Sequence, residues 1–138
     1  MKNTVLITGT SSGIGKATAK EFAKNGWNVI ATMRNPANEK ELTQVNNIFV
    51  ARFDVEQPDT IQEAIAAGIR QFGGIDVLIN NAGQGLFGVF EATPLERIQR
   101  LFEVNVSPHT ISLSHFSSNS SLNCANSFLY MVFFLVPK

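Results

Sequence analysis

Val5-Leu6-Ile7-Thr8-Gly9-Thr10-Ser11-Ser12-Gly13-Ile14-Gly15 is the stretch whose reading decides the fold. Three apolar residues, Val5, Leu6 and Ile7, run into a loop of small residues that carries Gly9, Gly13 and Gly15. Beyond it the pattern turns helical, with Gly15, Ala19, Phe22 and Ala23 one and two turns apart on one face. A buried strand feeding a glycine-rich turn and a helix N-terminus makes an anion site, because backbone N–H groups and the helix dipole point at the same place. Gly9 is expected to permit the tight turn, Gly13 to let a pyrophosphate reach the backbone, and Gly15 to let the helix pack closely. The glycine spacing is a variant of the dinucleotide fingerprint and not its literal form. The phosphate loop of nucleoside triphosphatases does not fit, since Thr10 stands where its first glycine belongs and Ala17 replaces the Ser/Thr after Lys16.

The rest of the first hundred residues alternates strand and helix. After a strand at residues 4–8 and a helix at 13–25, Gly26 reads as a helix-ending glycine. Residues 29–33 have the length and apolarity of a buried strand, closed by Arg34-Asn35-Pro36, and residues 38–45 read as a short, weak helix. A third strand spans 48–53 and ends at Asp54. Ile61, Ala64, Ile65, Gly68, Ile69 and Phe72 then form one helical stripe, opened by Pro58 and Asp59 and stopped by Gly73-Gly74. A fourth strand at 76–80 runs into Asn81-Ala82-Gly83 and a glycine-rich loop. Thr93-Pro94-Leu95-Glu96 reads as a capping box that opens a helix whose buried side is Leu95, Ile98, Leu101 and Phe102. This alternation predicts an α/β fold, a Rossmann-type doubly wound parallel sheet of strand order 3-2-1-4 with helices on both faces. Ligands are expected above the carboxyl ends of the strands, where residues 8–12, Arg34, Asp54 and residues 80–83 converge.

On these residues the chain resembles the short-chain dehydrogenase/reductase family. Thr8-Gly9-Thr10-Ser11-Ser12-Gly13-Ile14-Gly15 resembles its cofactor motif, Asp54-Val55 its adenine-contacting pair, and Asn80-Asn81-Ala82-Gly83 its Asn-Asn-Ala-Gly signature. Glu103-Val104-Asn105-Val106 resembles the helix segment that holds its active-site asparagine. The resemblance covers about residues 1–106, about the first half of a family member, so the sheet is expected to be incomplete at its C-terminal side. It implies an NAD(P)(H)-dependent oxidoreductase that moves hydride between nicotinamide and a small carbonyl or alcohol. The cofactor-binding residues it implies are Thr8, Gly9, Ser11, Ser12, Gly13, Ile14, Gly15, Arg34, Asp54, Val55, Asn81, Ala82 and Gly83, with Asn105 as the catalytic asparagine. Arg34 directly follows the strand end at Met33, where the family carries an acid for NAD, so NADP(H) is favoured over NAD(H). The family's tyrosine and the lysine four residues later have no counterpart, because the sole tyrosine, Tyr130, has Phe134 four positions on. The alternative is therefore a catalytically inactive nucleotide-binding fragment or a truncated product without function.

Composition bounds these readings. A chain of 138 residues suits one domain, and 11 basic residues against 11 acidic ones give no pull towards nucleic acid or an anionic membrane. The N-terminus goes almost directly into a strand, without the pattern of a signal peptide, and the lone Cys124 fits a reducing cytoplasm as an apolar filler. His109 and His115 match no metal-ligand spacing. Between Glu103 and Lys138 no Asp, Glu, Lys or Arg occurs, so the domain is expected at 1–106 and a Ser/Asn/Phe-rich tail at 107–138, as a truncated or frame-altered reading frame would give. The apolar run within residues 127–137 is too short for a bilayer and reads as a strand or an aggregation-prone segment lying on the core or sheet edge. Without later strands the fourth strand would stand at an uncovered edge open to self-association. Asp54 has a second reading as a turn cap, and residues 80–83 serve equally as a structural turn.

Overall fold

The computed structural model describes residues 2–85 and 93–105 and the backbone of Phe128–Met131. The elements run β1 (Thr4–Thr8), α1 (Gly13–Lys24), β2 (Asn28–Met33), two 3-10 turns (Pro36–Asn38 and Leu42–Gln44), β3 (Ile48–Arg52), α2 (Pro58–Phe72), β4 (Val77–Asn80), α3 (Leu95–Asn105) and β5 (Phe128–Met131). The sheet is parallel in the order β3-β2-β1-β4-β5, so the predicted 3-2-1-4 arrangement stands and a fifth strand extends it.

Alternation along β1 explains why helices cover both faces. Val5 and Ile7 point to one side and join Val29, Ala31, Val77 and Ile79 under Ala19 and Ala23 of α1. Leu6 points to the other and meets Ile30, Leu78 and the stripe Ile61, Ala64 and Ile65 of α2. Every residue of β1 is buried, as a central strand with neighbours on both edges and both faces must be. Each fully buried Leu or Ile here contributes about 1.5–3 kcal/mol of hydrophobic stabilisation. Asp76 fixes the entry of the two central strands: its carboxylate accepts the Thr4 N–H at 2.7 Å, and its own N–H bonds the Thr4 carbonyl.

α1 ends on Gly26, whose φ of +85° only glycine adopts without strain. The Gly26 N–H bonds the Ala23 carbonyl and the Trp27 N–H the Phe22 carbonyl, closing the helix end while the Phe22 and Trp27 rings meet edge to face at 5.2 Å.

Three expectations are corrected. Residues 38–45 form no α-helix, because Glu39 is extended (ψ 120°) and splits the segment into the two 3-10 turns. The Glu39 side chain, 4 % exposed, takes the backbone N–H of Glu41 at 2.8 Å and of Leu42 at 3.0 Å, which competes with the i→i−4 bonds a helix needs. Lys16 of α1 reaches Glu39 and Glu41, each at 3.1 Å, and Lys20 also pairs with Glu41, so the segment is latched to α1. On α3, Leu95 and Phe102 are not on the buried side: they are 63 % and 62 % exposed, Ile98 and Leu101 are half-buried, and Val104 is the buried residue. Pro94 lies before the helix, and its carbonyl accepts the N–H groups of Arg97 and Ile98. Finally, the far edge of β4 is not uncovered, since β5 pairs with it in the register Val77↔Phe128 to Asn80↔Met131. Among the described residues the β4 edge is thus occupied by β5. His109, His115 and Cys124 lie outside the described residues, as do residues 107–127 and 132–138 of the expected tail.

Two outcomes are expected. Deleting residues 127–138 strips β4 of its neighbour and should lower the melting temperature by roughly 4 °C or more, with aggregation visible by light scattering; equal stability would mean that the β4–β5 pairing contributes nothing. The second concerns pH. Burial pushes the Glu39 carboxyl up, but hydrogen bonds from Leu42, Lys16 and Glu41 outweigh it and hold the group below its ordinary 4.5. Its stabilisation is thus present above the unfolded pKa and is lost as pH falls through the lower folded value. Lys16, raised above 10.5 by Glu39 and Glu41, contributes below its unfolded value and loses that contribution as pH rises through the higher folded one. The melting-temperature gap between wild type and Glu39→Gln should therefore narrow as pH drops from about 7 towards about 3, and a constant gap would refute the linkage.

Candidate dinucleotide site

The site is built where β1 and β4 end side by side. Asn81, just past β4, donates its Nδ2 to the Thr8 carbonyl at 3.0 Å and to the Gly9 carbonyl at 3.1 Å. The Thr8 hydroxyl in turn accepts the N–H groups of Asn81 and Ala82, both at 2.9 Å. On the other side of β1, the Thr10 N–H and hydroxyl bond the Thr32 carbonyl at 3.0 and 3.1 Å, and the Thr32 hydroxyl bonds the Ile7 carbonyl at 3.0 Å. These bonds occupy acceptors and donors that strand ends otherwise leave unpaired in a water-poor place.

The same closeness explains two glycines. A Cβ on Gly9 would lie 2.8 Å from the Ala82 Cα, and one on Gly15 would collide with the Gly9 carbonyl oxygen and the Asn81 amide. At Gly13, by contrast, a Cβ would meet nothing within 4 Å. Gly13 faces open space, so the room in front of its backbone is available to a ligand. Gly15 packs against the loop and Asn81, a tighter and more specific contact than the helix–sheet packing expected of it.

An open cleft of about 470 Å³ lies over these strand ends. Every cofactor-binding candidate lines it except Thr8 and Asp54. Thr8 is buried beneath as the clamp just described. Asp54 holds a turn: its carboxylate accepts the Glu56 N–H at 3.1 Å, and its backbone carbonyl accepts the Thr60 hydroxyl and the Gln57 N–H. These bonds show the turn role, which leaves the adenine contact open to it, and Val55 beside it lines the cleft. Met33, Phe53, Glu56, Gln84, Gly85 and Val104 also line the cleft and are not among the candidates. Met33 and Phe53 were findable, as residues closing the second and third strands; Gln84 and Val104 meet only through the tertiary fold.

The charges of the cleft are sorted. Glu56 is paired with Arg100 of α3 at 3.1 Å, whereas Arg34 has no ion-pair or hydrogen-bond partner among the described residues. At the helix N-terminus, Ser12 sits at the cap position but makes no side-chain cap bond, and the first turn holds no acidic residue. The N–H groups of that turn therefore keep their partial positive charge towards the cleft. A nicotinamide dinucleotide suits these residues: an uncapped helix start and the open face of Gly13 for phosphate, and the exposed Arg34 just after β2.

Asn105 is at the end of α3, half-buried, and its side-chain amide closes a two-point bond with the Gln84 backbone. Oδ1 accepts the Gln84 N–H at 2.8 Å and Nδ2 donates to the Gln84 carbonyl at 2.9 Å. It fixes the loop after β4 and is itself outside the cleft lining. Among the described residues no helix is long and apolar enough to cross a membrane, and no cluster of His, Cys, Asp and Glu has the makings of a metal site.

Comparison with known proteins agrees with this geometry. The family model of short chain dehydrogenases matches residues 3–119. Serine 3-dehydrogenase of Agrobacterium fabrum is 42% identical over 88 residues, covering 62% of this chain and 35% of that protein. The 2-(R)-hydroxypropyl-CoM dehydrogenase of Xanthobacter autotrophicus is 36% identical over 115 residues, covering 77% of this chain and 46% of that protein. Among solved structures, ElxO with NADP bound superposes with a TM-score of 0.74 at 33% identity, over 83% of this chain and 49% of that one. An alcohol dehydrogenase of the archaeon Thermococcus sibiricus, complexed with 5-hydroxy-NADP, gives 0.77 at 27% identity, over 86% and 53%. The chain thus spans about half the length, or less, of these relatives. With the parallel sheet, the glycine loop and the Asn81 clamp in place, the family match over residues 3–119 makes this chain a member of the short chain dehydrogenase family.

Proposed function

We propose that this chain binds NADP(H) across the carboxyl ends of β1 to β4, as the dinucleotide-binding portion of an oxidoreductase acting on a small carbonyl or alcohol. The observation that carries the reading is the first turn of α1, which is uncapped, free of acidic side chains and open to the cleft. An anion there meets backbone N–H groups and the helix dipole at once. The NADP-bound state of ElxO and the 5-hydroxy-NADP complex of the Thermococcus sibiricus enzyme support the same reading.

Residues 11–15 would hold the pyrophosphate, with Gly13 giving the closest approach. Arg34 would meet the 2′-phosphate, since it is exposed and has no partner among the described residues, and the preceding strand end is Met33 instead of an acid. Val55 would contact the adenine, and Asp54 orders the turn that carries Val55. Residues 81–83 would border the nicotinamide end, held rigid by the bonds of Asn81 to β1. When bound, the nicotinamide supplies or accepts the hydride. Asn105 would order a water for proton movement, its side chain held by the two-point bond with the Gln84 backbone that leaves one amide hydrogen and one oxygen lone pair over. The proposed setting is the cytoplasm.

A second reading, a nucleotide binder without turnover, is favoured by one observation. The sole tyrosine, Tyr130, lies on β5 opposite Ile79 with Phe134 four positions on, so these 138 residues hold no tyrosine–lysine pair to move the proton. General acid catalysis contributes typically about 10²- to 10⁴-fold, and a polypeptide of this sequence lacks that contribution.

The cofactor reading is tested by calorimetry. Arg34→Ala should weaken NADPH by about 1.5–3 kcal/mol, roughly tenfold to a hundredfold, and leave NADH nearly unchanged. Equal losses for the two would show that Arg34 does not read the phosphate. For catalysis, the purified 138-residue polypeptide should bind NADPH yet oxidise none above background with a panel of aldehydes, ketones and quinones. Turnover abolished by Asn105→Ala would overturn the non-catalytic reading.

A further inference from the structure

We propose that Glu39 is a positioning residue for cofactor choice, because it anchors the segment that aims Arg34. This rests on the NADP(H) reading above. Arg34 is exposed and has no partner among the described residues, so its side chain inherits its direction from the backbone that carries it. That backbone is pinned at both ends. On the strand side, the Met33 carbonyl accepts the Phe53 N–H at 2.9 Å. Five residues beyond Arg34, Glu39 is buried and spends its carboxylate on three donors from two elements: the N–H groups of Glu41 and Leu42, at 2.8 and 3.0 Å, and the Lys16 ammonium, at 3.1 Å.

Between these anchors the chain has little slack. Pro36 fixes one φ, and the Glu39 N–H closes a 3-10 turn on the Pro36 carbonyl at 3.0 Å. Leu42, fully buried among the core residues beneath α1, is held at the same spot by its bond to Glu39. Lys16 belongs to the first turn of α1, directly after Gly15, so the latch ties the arginine segment to the helix whose N-terminus forms the phosphate cradle. Two anion-binding groups on separate elements, the helix start and Arg34, are thereby kept at a fixed separation before any ligand arrives. An arginine presented in advance loses less freedom on binding than one that must be ordered.

The latch also makes a prediction about Lys16. Its ammonium is committed to Glu39 and Glu41, so it does not add a second charge at the 2′-phosphate. Had the network existed to restrain a phosphate-binding lysine, breaking it would tighten NADPH; if it aims Arg34, breaking it weakens NADPH.

The test measures NADPH and NADH affinities of wild type, Glu39→Gln, Arg34→Ala and the double variant by calorimetry, with amide hydrogen exchange of residues 34–42 in the ligand-free proteins. Glu39→Gln is expected to weaken NADPH about fivefold or more, change NADH less than about twofold, and speed exchange in the segment. In the Arg34→Ala background the same substitution should have no further effect on NADPH, a coupling that general destabilisation would not produce. An unchanged or tightened NADPH affinity in Glu39→Gln, with Arg34→Ala still selective for NADPH, overturns the inference and leaves the NADP(H) reading standing. Equal losses for both nucleotides, or full additivity with Arg34→Ala, also overturn it. Should Arg34→Ala itself prove unselective, both readings fall together.

Discussion

Parallel strands that end next to each other leave carbonyls and N–H groups facing the same small volume, and in this chain the Asn81 amide occupies that volume. Its two bonds draw the loop after β4 against the turn after β1 so tightly that a side chain at Gly9 or Gly15 would overlap it. The Thr8 hydroxyl closes the same joint by accepting two N–H groups. Substituting a larger residue for either glycine, or an apolar one for Asn81, would open the joint and leave buried polar groups without partners, each at about 1–3 kcal/mol. The joint fixes the helix start closely against the β4 loop while leaving the face of Gly13 open to the cleft.

The electrostatic pattern follows from which charges are already spent. Glu56 is answered by Arg100, Lys16 and Lys20 are answered by Glu39 and Glu41, and among the described charged residues that line the cleft Arg34 is left unpaired, beside the bare start of α1. A net charge of zero over the whole chain hides this local positive balance. Long-range attraction is small in such a protein, so recognition of an anion depends on geometry close to the site.

Towards the C-terminal side of the sheet the packing thins. The helix α3 turns Leu95 and Phe102 to solvent, and only Val104 is fully withdrawn from it. β5 pairs with β4 over four residues and so satisfies the backbone on that edge. Strand pairing needs only backbone groups in register, which is why a stretch outside the family resemblance can occupy this place.

Much of the fold was legible because its signals are local. Val5, Leu6 and Ile7 before three glycines, the stripe from Ile61 to Phe72, and Gly26 at a helix end each depend on neighbours within a few turns. Their order was enough for the parallel sheet and its 3-2-1-4 core, since right-handed crossovers leave few alternatives. The same glycines and Asn81 marked the cleft. What the sequence could not specify were contacts between distant residues. Periodicity promised a helix at 38–45, but the buried Glu39 carboxylate, reached by Lys16, captured the N–H groups that the helix required. Apolar spacing promised a buried face on α3, yet burial takes a partner surface, and none among the described residues covers Leu95 or Phe102. Asp54 and Asn105 are polar at motif positions, and only the tertiary structure decided that one caps a turn and the other holds Gln84. Local pattern determines what a segment is able to form; the energy that chooses among those forms comes from groups brought together by the fold.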